Sequence, residues 1–222
     1  MNTRFHIFCG HFGSGKTEIA VNFAIKCKNE GKSVSIVDLD IVNPYFRTND
    51  ARELLAENGI EVIAPEYANS NLDMPTVPAD IMKVFNGNTD IVIFDVGGDE
   101  DGAYALGRYI AYFQKEGYFM HLVVNAKRPL TETKNEILDM ASEIEKASRL
   151  KITDIINNTN IGKLSDKETI LSGEDEIKAA ADALGVGISM YTATEGNLDA
   201  LSDNLKDKGF IIDIKIKMPW ER

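Results

Sequence analysis

Short apolar runs alternate with stretches of helical periodicity from one end of the chain to the other. Seven runs read as strands: residues 4–9 (RFHIFC), 33–40 (SVSIVDLD), 60–64 (IEVIA), 90–96 (DIVIFDV), 118–125 (YFMHLVVN), 151–158 (KITDIINN) and 187–192 (GISMYT). Several are apolar on both faces, the pattern of parallel strands buried between helices. Between the first two runs, Ile19, Ala20, Phe23, Ala24 and Cys27 share one helical face, and Gly31 stands where that helix would stop. Residues 131–148 place Ile137, Met140, Ala141 and Ile144 on a second apolar stripe. Parallel neighbours need crossover connections, so this alternation predicts a doubly wound α/β fold, a mostly parallel sheet of about seven strands with helices on both faces. Residues 65–80 are the longest irregular stretch and read as a surface loop. In the tail, Ile212, Ile214, Ile216 and Met218 alternate with Asp213, Lys215 and Lys217. That period of two predicts an edge strand rather than an amphipathic membrane anchor around Trp220.

Composition narrows the class. With 222 residues the chain is expected to form one domain over 1–222. Hydrophobic residues at 44% and charged residues at 27% fit a soluble globular protein. A net charge of −11 argues against binding nucleic acid or an anionic membrane, both of which need a basic footprint. Cys9 and Cys27 have no metal-type spacing and read as reduced core thiols; His6, His11 and His121 lack the spacing of a zinc site. The N-terminus is too short and polar for a signal peptide, and no apolar run reaches the roughly 18 residues of a membrane span, so a cytoplasmic location is expected.

One stretch carries specific chemistry. Gly10, Gly15, Lys16 and Thr17 in CGHFGSGKTE fit G-x-x-x-x-G-K-[ST], and they stand between a first strand and a first helix. Glycines there let backbone N–H groups curl round a phosphate, and the helix N-terminus adds partial positive charge. Lys16 is the candidate catalytic cation for the β and γ oxygens of ATP, and the Thr17 hydroxyl is a candidate Mg²⁺ ligand. Gly13, Ser14 and Glu18 complete the expected nucleotide-binding loop.

Ligands of open α/β sheets sit at the carboxyl ends of the strands, where the remaining parts are expected. Asp95 closes an apolar strand, in the position of an acid that holds Mg²⁺, and D-x-x-G then brings the Gly98 N–H toward a γ-phosphate. Asp38 and Asp40 in VDLDIVNPYFR are candidates for ordering an attacking water or, for Asp38, for the metal sphere; either can equally open a loop. Asn157 and Asn158 end a late strand, where amides can read a purine edge, although Asn is also a common turn residue. The guanine-reading N-K-x-D sequence is absent, which favours ATP over GTP.

With these residues the chain resembles the MinD/ParA-like branch of P-loop NTPases, which also holds CobQ/CobB-type proteins. The likeness runs from CGHFGSGKT through IVDLDIVNP and IFDVGGDEDG to IINNTN. It implies that two subunits sandwich ATP and that hydrolysis resets the dimer, with Asp38 and Asp40 in a first switch and Asp95 and Gly98 in a second. Many members carry a lysine directly after the first loop glycine, which reaches the partner's nucleotide; here that residue is His11. Arg47, Arg108, Lys127 and Arg128 are candidate substitutes. The expected function is a Mg²⁺-dependent ATPase acting as a switch on a protein partner, with a possible nucleotide-dependent homodimer. The alternative is an ATP-dependent phosphotransferase or ligase like CobQ/CobB or dethiobiotin synthetase, for which the acidic loop Asp99, Glu100 and Asp101 would face substrate.

Overall fold

The computed structural model describes residues 3–40, 48–64, 81–98, 100–199 and 201–215. The expected loop over 65–80, Arg47, the side chains of Asp99, Glu100 and Asp101, and the tail beyond Lys215 lie outside the described residues.

All seven expected strands form: β1 (Phe5–Cys9), β2 (Val34–Leu39), β3 (Glu61–Ile63), β4 (Ile91–Val96), β5 (Phe119–Val124), β6 (Asp154–Asn157) and β7 (Gly187–Ala193). An eighth, β8 (Gly209–Ile211), closes the far edge, and the order is β3-β2-β4-β1-β5-β6-β7-β8 with every pairing parallel. Two helices, α1 (Lys16–Asn29) and α2 (Arg52–Glu57), cover one face. The other is covered by α3 (Ile81–Asn86), α4 (Glu100–Gly107), α5 (Ile110–Glu116), α6 (Lys134–Ser148), α7 (Lys167–Leu171) and α8 (Glu174–Leu184). Two short helices, α9 (Glu195–Asp199) and α10 (Asp203–Lys206), lead into β8.

Strand alternation builds two cores. Phe5, Ile7 and Cys9 point into the larger one with Phe94, Phe113 and Ile137, while Phe8 joins Ile19, Ala20 and Ala24 of α1 in the smaller. Burial pushes the Cys9 thiol up to about 12, so it is an inert core group. His6 and His121 stack on the α1 side, with His121 Nδ1 2.7 Å from Asp154 Oδ1. Burial first and the neighbouring His121 second hold His6 down at about 3, so it is neutral.

The tail departs from its expected place. The edge strand lies at Gly209–Ile211, earlier than the alternation of 212–218 predicts, because the chain turns onto α1 after Ile212 donates to the Ala193 carbonyl. There the Asn22 amide donates to the Asp213 carbonyl at 2.9 Å and accepts its N–H at 3.0 Å, so a side chain replaces the strand partner.

Candidate nucleotide site

Alternation also decides where the acids point. In β4, Val92, Phe94 and Val96 enter the larger core, so Ile93 and Asp95 face α1; in β2, Val37 and Leu39 do the same, turning Ile36 and Asp38 toward α1. The two strands are neighbours with Asp38 opposite Asp95. Two buried carboxylates therefore stand side by side at the carboxyl end of the sheet, below the start of α1. Asp38 Oδ1 accepts the Asp40 N–H at 3.0 Å, which shapes the exit from β2 and keeps Asp40 buried as well.

Above them the loop between β1 and α1 is compressed. Gly10 has φ 141°, and a Cβ on it would collide with the Val123 carbonyl of β5; Gly15 has φ 91°, and a Cβ there would strike the Asn158 amide. Both positions require glycine on two grounds, the left-handed backbone and the lack of room. The Ser14 N–H donates to the His11 carbonyl at 3.1 Å, and the Lys16 ammonium donates to the same oxygen at 3.1 Å. Lys16 is thus buried and curled over its own loop. The first turn of α1 points its N–H groups out of the helix end at this loop.

Asp95 is the electrostatic centre. It is fully buried, and burial raises its carboxyl to about 6 while the Lys16 charge and the Thr17 and Thr48 hydroxyls pull it back down. Thr48 Oγ1 donates to Asp95 Oδ2 at 2.8 Å. The other oxygen, Oδ1, has no hydrogen-bond partner among the described residues. Gly98 closes the far side: a Cβ there would lie 2.6 Å from the Phe12 nitrogen, so the loop after β4 touches the phosphate-type loop.

The structure brings Lys16 and Thr17, at the start of α1, together with Asp38, Asp40 and Asp95 at the ends of β2 and β4, and sets Gly98 against the loop. Other expected residues turn elsewhere. Asn158 Nδ2 donates to the Ser14 carbonyl at 2.6 Å and its Oδ1 accepts the Thr192 hydroxyl. Asn157 Oδ1 accepts the Thr159 N–H at 3.0 Å, and its Nδ2 faces Glu174 at 3.4 Å. The amides expected at a base instead tie β6 to the loop, to β7 and to α8. The Glu18 carboxylate accepts through Oε1 from the Asn22 amide and from the Lys215 N–H, holding the tail against α1. Thr48 carries no site motif in the sequence; its one signal is its place just after the NPYFR stretch that leaves β2.

An all-parallel sheet with a glycine loop feeding α1 and two acids beneath it decides the fold. The chain has the P-loop NTPase fold. Solved structures share it. Cell division protein FtsY of Thermotoga maritima aligns with a TM-score of 0.60 at 22% identity, over 88% of this chain and 65% of that one. FtsY of Mycoplasma mycoides gives 0.57 at 21% identity, over 86% and 61%. The signal recognition particle 54 kDa protein of Aeropyrum pernix K1, in complex with GDP, gives 0.57 at 22% identity, over 85% and 41%. The chain spans less than two thirds of the length of each of these. No family model matches it, and no curated protein does.

Proposed function

We propose that the chain is a MinD/ParA-like switch that binds and hydrolyses ATP with Mg²⁺ and acts on a protein partner. The observation that carries this reading is the buried, unpartnered Asp95 Oδ1, next to Thr17 and Lys16 under a glycine-lined loop. A buried carboxylate oxygen without a partner is costly unless a ligand completes it, and a hydrated Mg²⁺ is such a ligand. Thr17 and Asp95, with Asp38 beside them, would hold the ion, which supplies neutralisation of charge on the phosphates. Lys16 would exchange the His11 carbonyl for phosphate oxygens, and Asp40 would order the attacking water.

The segment after β6 favours adenine. The run Asn157 to Ile161 holds no N-K-x-D: from Asn157 or Asn158, no lysine stands second and no aspartate fourth to read guanine. This departs from the GDP of the Aeropyrum structure. Protein contact is supported by Phe12, Leu130, Ile161 and Leu164, exposed apolar side chains on the segments that follow the carboxyl ends of β1, β5 and β6. Among the described basic residues named as substitutes for the missing lysine, Arg128 stands beside the loop, with its Nε 3.8 Å from where a Cβ on Gly13 would stand.

Asp40→Ala tests the switch. Turnover should fall while nucleotide binding survives, because a transition-state contact is lost and the ground-state grip is kept. In a switch the trapped ATP state is also the associated one, so light scattering should show a dimer with ATP and a monomer without. Undiminished phosphate release would remove Asp40 from the mechanism.

A further inference from the structure

A cavity of about 460 Å³ opens between the phosphate-type loop and α6. On one side it is lined by His11 of the phosphate-type loop and Gly98 of the loop after β4. Its floor is apolar, made of Leu130, Met140 and Ile144. Leu130 is 59% exposed and held at φ 66°, in a turn fixed by the Thr131 hydroxyl, which donates to the Asn125 carbonyl at 2.8 Å. A bulky side chain in the left-handed region is a rare conformation, here kept with the side chain in solvent.

The rim has one sign of charge. Asp139 and Glu143 come after Glu136 at helical spacing along α6, directly beside the Met140 and Ile144 ridge. Glu136 caps its own helix through Thr133, but the Asp139 and Glu143 carboxylates have no partner among the described residues. An apolar floor flanked by unpaired carboxylates is complementary to a segment with apolar residues on one side and lysines or arginines along its edges.

We propose that this groove docks a basic amphipathic segment of a protein partner, and that its contact with His11 and Gly98 makes docking respond to the nucleotide. Only the response to nucleotide rests on the ATP-switch reading. The probe is a fluorescein-labelled peptide with leucines every third or fourth residue flanked by lysines. A control peptide has the same composition in an order with no apolar face. The amphipathic peptide should bind at least about tenfold tighter than the control, and Asp139→Asn with Glu143→Gln should remove about tenfold of that affinity. Leu130→Ser, on an exposed turn, should weaken it by a similar factor with the thermal midpoint unchanged. Adding Mg²⁺ and a non-hydrolysable ATP analogue should shift the affinity by about threefold or more. Equal binding of the two peptides, or full affinity in the double variant, would overturn the proposal. So would a peptide-free dimer that the double variant dissolves, which would give the groove to a second copy of this chain. Peptide binding that persists but ignores nucleotide would fault the nucleotide reading and leave the groove standing.

Discussion

Asp95→Asn should make the nucleotide-free protein more stable. The carboxyl is fully buried and burial raises it from 3.8 to about 6. A folded-state value above the unfolded one means that its stabilising contribution is full below about pH 4 and is lost as pH rises through about 6. A shift of about two units corresponds to about 3 kcal/mol at neutral pH, the cost of burying the charge without its ligand. Asparagine has nearly the same shape, and the Thr48 hydroxyl can still donate to its oxygen. Urea unfolding of both proteins from pH 4 to 7.5 reads the effect as the pH-dependent part of the difference in their stabilities. The gap should be near zero at pH 4, open by about 1.4 kcal/mol per unit through the middle of the range, and level near 3 kcal/mol in favour of the variant. Adding Mg²⁺ and an ATP analogue should reverse the order, since only the wild type gains its missing partner. A gap independent of pH, or a variant less stable at pH 7.5, would refute this reasoning.

Two further substitutions probe the loop. Gly15→Ala must adopt a left-handed backbone and displace the Asn158 amide from the Ser14 carbonyl. It should cost about 3 kcal/mol and lower the thermal midpoint by roughly 6–12 °C, read by calorimetry; a drop under about 2 °C would mean that the loop is looser than described. Arg128→Ala removes the cation beside Gly13 and should slow turnover by about tenfold or more while nucleotide affinity changes by less than about threefold. Unchanged turnover in a phosphate-release assay would place Arg128 outside the reaction.

Much of this arrangement is legible in the chain. The apolar runs mark β1, β2, β4 and β5 because parallel central strands are buried on both faces, and G-x-x-x-x-G-K-T marks the loop between β1 and α1. Even the convergence of Asp38 and Asp95 comes from a period of two, once the larger core is known to take Val37, Leu39, Phe94 and Val96. Contacts set by closure of the fold are another matter. Nothing local says that Thr48 will meet Asp95, 47 residues on, or that Asn158 will reach back 144 residues to Ser14. The tail misleads for a similar reason. Its alternation continues past Ile212, but the Asn22 amide and the Glu18 carboxylate offer hydrogen bonds that draw the backbone off the sheet. Amide side chains at strand ends look alike in sequence whether they face a ligand or the scaffold.

The nucleotide site is tested most directly by equilibrium binding of a fluorescent ATP analogue with Mg²⁺ to the wild type and to Lys16→Ala, with unlabelled ATP and GTP as competitors. Lys16 is a buried cation held against the loop, so its loss should weaken binding by about tenfold or more, equivalent to about 1.4 kcal/mol, and ATP should displace the probe better than GTP. Affinity unchanged within about twofold in Lys16→Ala would contradict the nucleotide site itself, and tighter competition by GTP would contradict the choice of adenine.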